Sequence, residues 1–320
     1  GKGIYAPLLA YAFVNIILFS IYIPYIYSLF PDFFKNIHFF SYKQFKPIFL
    51  YGLLISFTSF GWIIITQTDV IMLTYFTTTY TVGLYAVALP ISLLLLFFMR
   101  PINIIFSPLV AQYAAEKKEK ELAATIIKAY KYAFIFLLPF ALCLIAFSEY
   151  IIPFLFSQEY IGASPALQIL AVGTFFYSFS LFNSIIFNGI GKARLMAWVV
   201  VGCSILNIIL NFLLIPYYSL IGAAFATSCS YFLIFVFSLF ILKKNISLSL
   251  PLFSWVGSLL SGFFSIGFII LLKHFIPFNN IIELFICSFV LFLIYILLLF
   301  LFRILSFKEV ISFNYKSLFE

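Results

Sequence analysis

Charge is what this 320-residue sequence has least of. Only 9% of its residues are Asp, Glu, Lys or Arg, against 65% hydrophobic residues and a mean hydropathy of +1.19. No water-soluble domain has that balance, so the chain reads as a polytopic membrane protein. Histidine is nearly absent: His38 and His274 are far apart and belong to no motif. The four cysteines, Cys143, Cys203, Cys229 and Cys287, all fall inside apolar spans, and no pair has CxxC spacing. That leaves free core thiols rather than disulfides or metal ligands. HExxH, a glycine-rich phosphate loop and any cluster of metal-ligating side chains are missing, so neither a metal nor a cofactor is expected. A membrane-embedded glycan polymerase would need carboxylates or histidine on a substantial outer loop. The connections on that side are short, with Glu149 and Glu159 their only acids. No signal-peptide pattern is present; the sequence opens Gly1-Lys2-Gly3 and enters a full-length span directly.

What is present is a series of apolar stretches. A bilayer-spanning helix needs about 20 such residues. Nine segments qualify, at 4–28, 48–76, 82–110, 130–149, 165–188, 195–216, 219–242, 252–273 and 281–303. The expected fold is therefore an all-α transmembrane bundle. In a soluble protein a formal charge of +8 would suggest nucleic acid; here it bears on topology, and no nucleic-acid partner is expected. Alternate connections carry 15 of the Lys and Arg residues, the opposite set carries two, and Arg100 lies within a span. The positive-inside rule assigns the 15 to the cytoplasm, which puts the N-terminus outside and the tail after Arg303 inside. Within the basic connection after the third span, Glu116 to Lys120 and Lys117 to Glu121 have i,i+4 spacing, and Leu122, Ile126 and Tyr130 give an apolar face. This predicts an amphipathic helix lying on the lipid headgroups.

The second and third spans carry ionisable residues at membrane depth, Asp69 and Arg100. Such a residue costs about 3 kcal/mol on insertion scales and usually faces a bundle interior or a watery cavity. Helical spacing groups polar residues with them. Ser59, Trp62, Thr66 and Asp69 share one face, and Arg100, Asn103 and Ser107 another. Gly173, Tyr177, Ser180, Ser184 and Asn188 form a third face, and Ser204, Asn207 and Asn211 a fourth. The candidate cavity lining is Arg100, Asn103, Asp69, Thr66, Tyr177, Asn188, Asn207 and Asn211. The same stripes suit tight helix packing, where small residues admit close approach and amides bond across helices; Arg100 could equally snorkel to the inner leaflet. Asp69 lies 10 residues before the turn near Thr79 and Arg100 lies 21 after it. Their depths then differ by roughly 15 Å at 1.5 Å per residue, which argues against a direct ion pair. Pro90, Pro101 and Pro108 interrupt the third span, and each removes a backbone donor and favours a kink.

Several strings resemble one family. Thr66-Gln67-Thr68-Asp69-Val70-Ile71-Met72-Leu73 followed by Val82-Gly83-Leu84-Tyr85-Ala86-Val87-Ala88-Leu89-Pro90-Ile91 is similar to the seventh and eighth helices of polysaccharide-biosynthesis (O-antigen type) flippases. These belong to the multidrug/oligosaccharidyl-lipid/polysaccharide exporter superfamily. Ser107-Pro108-Leu109, Asn188-Gly189-Ile190-Gly191-Lys192, the segment from Asn207 to Pro216, and Ile221-Gly222-Ala223-Ala224-Phe225-Ala226-Thr227 look like later family segments in the right order. At Ser219 the family more often has Gly. The resemblance covers roughly 48–242. It implies the C-terminal lobe of a two-lobe transporter: 1–46 as the last helix of the N-terminal lobe plus a cytoplasmic linker, 47–245 as a six-helix lobe, and 246–320 as two additional helices and a tail. On that alignment the first five family helices are absent from this sequence.

The implied activity is translocation of polyprenyl-diphosphate-linked oligosaccharide across the cell membrane, not an enzymatic reaction. The implied partners are that lipid-linked oligosaccharide, membrane lipids, and glycan polymerase or glycosyltransferase machinery. Arg100 matches the place where the family puts a cavity cation, and Asp69 is a position for proton or cation coupling. Two alternatives are a drug/cation antiporter of the same superfamily, with Asp69 as the ion site, and a membrane-embedded glycan polymerase. The charge bias makes a direct prediction. In a cysteine-free background, an impermeant thiol reagent applied from outside should label Tyr80→Cys and not Asn245→Cys; the reverse pattern would invert the topology.

Overall fold

The computed structural model describes the backbone of residues 5–31, 42–275 and 281–306, and over them it is all-helical. Its helices are α1 (Tyr5–Leu29), α2 (Tyr42–Phe76), α3 (Thr79–Ala115), α4 (Glu119–Ala146), α5 (Ser148–Leu155), α6 (Ser164–Gly189), α7 (Ala193–Asn245), α8 (Leu252–Phe275) and α9 (Ile281–Leu301), with a 3₁₀ turn at Gln158–Ala163. Six helices hold a described stretch long and apolar enough to cross a membrane. The expected linker around Lys35 and the tail bearing Lys308 and Lys316 lie outside the described residues.

The chain divides into two units, Gly1–Gly52 and Leu53–Glu320. In the first, α1 satisfies its polar side chains on its own backbone. Asn15 donates to the Tyr11 carbonyl at 2.8 Å, Ser20 to Ile16 at 2.8 Å and Ser28 to Tyr25 at 2.9 Å. Lipid offers no partner to such groups, so a helix must supply them internally.

The second unit is built around α6, which buries Leu167, Leu170, Phe175, Phe179, Phe182 and Ile186 among α3, α4 and α7. In a bilayer, helix association depends on close packing rather than on escape from water, so small residues mark the tightest approaches. Gly173 is one of them: a Cβ there would lie 2.5 Å from the Ser228 Cα on α7. Ser228 Oγ donates to the Ile169 carbonyl at 2.8 Å across the same crossing. Nearer the basic end, a second tie joins three elements. Tyr130 of α4 donates its hydroxyl to Asn183 Oδ1, and Asn183 Nδ2 donates to Ser238 Oγ of α7 at 2.7 Å.

At 53 residues α7 is about 80 Å long if straight, far more than the ~30 Å hydrocarbon core. It is two arms joined at Ser219, where φ is 51° and ψ is −124°. These angles belong to a turn position that glycine occupies without strain and an L side chain does not. A glycine would take this turn without strain, and Ser219 accepts the strain instead.

Two expectations need correction. The segment from Glu116 to Glu121 does not open one helix. α3 ends at Ala115, Lys117 has a φ of 55°, and α4 begins at Glu119. Glu116 therefore pairs with Lys118 at 2.7 Å and accepts from Gln112 Nε2 at 2.9 Å. The ion pair holds the Glu116 carboxyl below its usual range, first through the Lys118 hydrogen bond and then through Gln112. Nor does the amphipathic segment lie on headgroups: Leu122, Ile126 and Tyr130 are buried in the protein core, on the first turns of α4. The prolines of α3, in contrast, interrupt nothing; the helix runs through all three, and Pro90, Pro101 and Pro108 fall on its exposed side. Their spacings of 11 and 7 residues are near whole turns, so the freed carbonyls are grouped along one face.

Two substitutions test this packing by thermal unfolding in detergent. Gly173→Ala should destabilise by about 1–3 kcal/mol through overpacking against backbone. Ser219→Gly should raise the midpoint, because relief of about 1–3 kcal/mol of strain outweighs the roughly 0.5–1 kcal/mol entropic cost of glycine. A lowered midpoint for Ser219→Gly would show that the turn is not strained.

Candidate functional site

The buried face of α2 is set by spacing: Gly61, Ile65, Asp69 and Leu73 recur every four residues and are all buried. Gly61 lets the helix approach the first arm of α7, where Ser204 Oγ donates to the Gly61 carbonyl at 2.9 Å. That approach carries Asp69 into the interior of the second unit, where it is 0% exposed.

Three helical segments converge on the Asp69 carboxylate. Tyr85 of α3 and Thr227 of the second α7 arm both donate hydroxyls to Oδ2. Asn211 of the first arm donates Nδ2 to Oδ1 at 2.5 Å. Behind them, Asn207 Oδ1 accepts from Asn211 Nδ2 at 3.1 Å, and Asn207 Nδ2 donates to Thr227 Oγ1 at 3.4 Å. The turn at Ser219 explains why these side chains meet. Asn211 lies eight residues before it and Thr227 eight after, so both sit roughly 12 Å from the turn on antiparallel arms.

Among the described residues, no cation is a partner of Asp69. Asn211 Oδ1 is buried and accepts no hydrogen bond. The cluster thus offers carboxylate, amide and hydroxyl oxygens and no nitrogen or sulfur acceptor. Among the described residues, no group of three His, Cys, Asp or Glu could hold a metal ion. An all-oxygen set of this kind suits a proton or a hard cation rather than a transition metal. One to two turns away, Trp62 of α2 stacks on Tyr177 of α6 at 4.9 Å between ring centroids, and Tyr177 stacks on Tyr231 of α7 at 4.5 Å. The Tyr231 hydroxyl is buried with no partner.

Arg100 lies elsewhere. It is exposed on α3, 15 residues beyond Tyr85, or roughly 22 Å along the helix. Phe97, Ile104 and Ile105 are exposed around it, and no acidic partner faces it among the described residues. One turn on, Asn103 is half-buried with an unpartnered Oδ1. Phe98, Pro101 and Ile102 flank Arg100 in sequence and line an apolar cleft of about 770 Å³ whose other walls include Phe136, Tyr295 and Leu299 of α4 and α9.

Residues 55–213, which include α3 through α6, Asp69 and both asparagines, match the MatE family. The chain is 32% identical over 309 residues to an uncharacterized membrane protein of Methanocaldococcus jannaschii, a match covering 96% of this chain and 61% of that protein. It is 25% identical over 256 residues to Agl15 of Haloferax volcanii, described as a probable low-salt glycan biosynthesis flippase, covering 80% of this chain and 54% of that one. Among solved structures, the lipid II flippase MurJ in an inward closed conformation superposes with a TM-score of 0.67 at 19% identity, over 92% of this chain and 60% of MurJ. A MOP-superfamily transporter from Pyrococcus furiosus gives 0.53 at 16% identity, over 68% and 53%. The chain thus has a MurJ-like transporter fold, and a little under half of it matches the MatE family model. It spans 61% and 54% of the lengths of the two sequence relatives.

In this fold the eight candidate residues separate into distinct places. Asp69, Asn207 and Asn211 are brought together. Tyr177 lies in the adjoining aromatic stack, and Thr66 bonds back to the Trp62 carbonyl at 3.1 Å on the same helix. Arg100 and Asn103 share the far part of α3, and Asn188 is exposed at the end of α6. Sequence spacing missed Tyr85 and Thr227, the two hydroxyl donors to Asp69, and the Tyr130–Asn183–Ser238 tie. Tyr85 sits in an unbroken apolar run and Thr227 in a run of small residues, so neither belongs to a polar stripe; only the tertiary crossing exposes their roles.

The network predicts a contrast between two buried tyrosines. Tyr85→Phe removes a donor to a carboxylate and should cost about 1.5–3 kcal/mol. Tyr231→Phe removes an unpartnered hydroxyl and should be neutral or stabilising. Thermal midpoints of the two variants in the same detergent decide it; equal midpoints would mean that the Asp69 network does not hold the lobe.

Proposed function

We propose that this chain works as the C-terminal lobe of a flippase that moves polyprenyl-diphosphate-linked oligosaccharide across the cell membrane, with its basic ends in the cytoplasm. The observation that carries the reading is Arg100. An exposed, unneutralised guanidinium among Phe97, Ile104 and Ile105 costs about 3 kcal/mol in a membrane unless water or an anion faces it. A diphosphate supplies that anion, and guanidinium binds phosphate oxygens in a two-pronged geometry. The apolar cleft beside it gives the polyprenyl tail a place along α3, α4 and α9 while the headgroup meets Arg100. The relationship to a probable glycan biosynthesis flippase supports the substrate class.

Asp69, Asn207, Asn211 and Thr227 form the coupling site in this reading, taking a proton or a monovalent cation as the lobe changes state. A buried carboxylate with no basic partner among the described residues is stable when one of these neutralises it. No step of bond making or breaking is assigned to any residue. Glycosyltransferase or polymerase machinery would supply and consume the lipid-linked glycan on either side.

The test is glycan export in a flippase-deficient host expressing the full-length protein, at matched membrane abundance. Arg100→Ala should abolish export or reduce it severely. Arg100→Lys keeps the charge, loses the bidentate geometry and should retain part of it. Normal export by the Ala variant would remove Arg100 from the cargo path. An antiporter would instead show loss of ion-coupled drug efflux in Asp69→Asn and indifference to Arg100→Ala.

A further inference from the structure

Away from both sites, the two arms of α7 leave a groove on the outer surface of the lobe. It measures about 470 Å³ and is lined by Leu195, Trp198, Gly202, Leu206, Phe237 and Phe240, among others. Trp198, Phe237 and Phe240 are exposed, and a Cβ added at Gly202 would meet nothing within 4 Å, so the groove is open at its floor. Its depth follows from the helix ends. Trp198 lies five residues into α7 and Leu206 thirteen, so the groove runs roughly 8–20 Å below the basic end of the helix. That is the hydrocarbon of a single leaflet.

The mouth of the groove is basic. Arg194 is exposed four residues before Trp198 and so shares its face. Lys244 is exposed in the last turn of the other arm, four residues after Phe240, with Nζ 4.4 Å from the Phe240 ring centroid. Lys243 is exposed beside it. No Asp or Glu occurs anywhere from residue 160 to residue 282, so neither arm carries an acid to neutralise these bases. Ordinary solvating lipid requires no such concentration of charge over one groove. Basic residues between membrane helices at the headgroup level, above an apolar recess, recognise anionic headgroups.

We infer that this groove is a binding site for an anionic phospholipid of the leaflet at the basic end of the helices. One hydrocarbon chain lies between Trp198 and Phe240 over Gly202, and the phosphate sits between Arg194 and Lys244. The inference does not depend on the flippase reading, because none of these residues belongs to the Asp69 cluster or to the cleft beside Arg100.

Trp198 reports on the site directly. The 320-residue chain is reconstituted in vesicles containing brominated phosphatidylglycerol or brominated phosphatidylcholine, and the Trp198 emission is taken as the difference from Trp198→Phe. The anionic lipid should quench it with about tenfold preference over the zwitterionic one, since each basic residue near the surface contributes to the attraction. Arg194→Gln combined with Lys244→Gln should bring the ratio close to one while leaving helix content unchanged. Gly202→Leu, which fills the floor, should lower quenching by either lipid. A ratio near one in the unmodified protein, or a preference that survives the double neutralisation, would overturn the site and leave only solvating lipid.

Discussion

The second unit depends on one carboxylate that cannot reach water. Asp69 is the point where α2, α3 and both arms of α7 are joined, and its three donors come from three different segments. In lipid, packing alone gives little directional preference, because the surrounding tails are as apolar as the side chains. A buried carboxylate is directional: it must be met by donors, and only one relative placement of the helices brings Tyr85, Thr227 and Asn211 to it together. The Tyr130–Asn183–Ser238 tie does the same with neutral groups at the basic end. The second unit is thus pinned at two depths, and apolar packing around α6 fills the space between.

The two ionisable residues of the central helices obey the same electrostatics with opposite outcomes. Asp69 is enclosed by neutral donors; Arg100 is exposed, with no acidic partner among the described residues. A buried anion surrounded by dipoles is poised to take up a cation, and an exposed cation on an apolar face is poised to take up an anion. Neither satisfies the other, since roughly 22 Å of α3 separates Tyr85 from Arg100. The chain therefore holds two separate charge requirements, the carboxylate on α2 and the guanidinium on α3.

Much of this was legible in the sequence, for reasons that differ by residue. Among the described residues the apolar segments fall largely on helices or helix arms, because apolar stretches of bilayer-spanning length favour helix, although six helices, not nine, hold a described stretch long and apolar enough to cross a membrane. Asp69 was conspicuous because a charge at that depth is rare, and Asn207 and Asn211 followed from helical spacing. The separation of Asp69 from Arg100 followed from rise per residue. What failed was local and charge-based. The Glu116–Lys120 spacing assumed a continuous helix where Lys117 turns the chain, and the apolar face of Leu122, Ile126 and Tyr130 could not reveal whether lipid or protein would cover it. Tyr85 and Thr227 were invisible because a single hydroxyl in an apolar or small-residue run has no periodic signature; its partner is 16 residues away in one case and 158 in the other.

The position of Ser219 connects strain to the site. Its backbone angles fix the turn between the α7 arms, and the turn fixes the register in which Asn211 and Thr227 face each other. Because the Asn211 amide nitrogen and the Thr227 hydroxyl both donate to the same carboxylate, a slip of one residue at the turn would move one of them by 1.5 Å along its arm and about 100° around it, enough to break its contact. The donors to Asp69 are therefore positioned by a backbone conformation eight residues away from each of them. Replacing the strained residue by glycine relaxes the turn without changing the register. Inserting or deleting a residue there would instead separate the two arms' donors, leaving Asp69 buried with fewer partners and the lobe without its most directional contact.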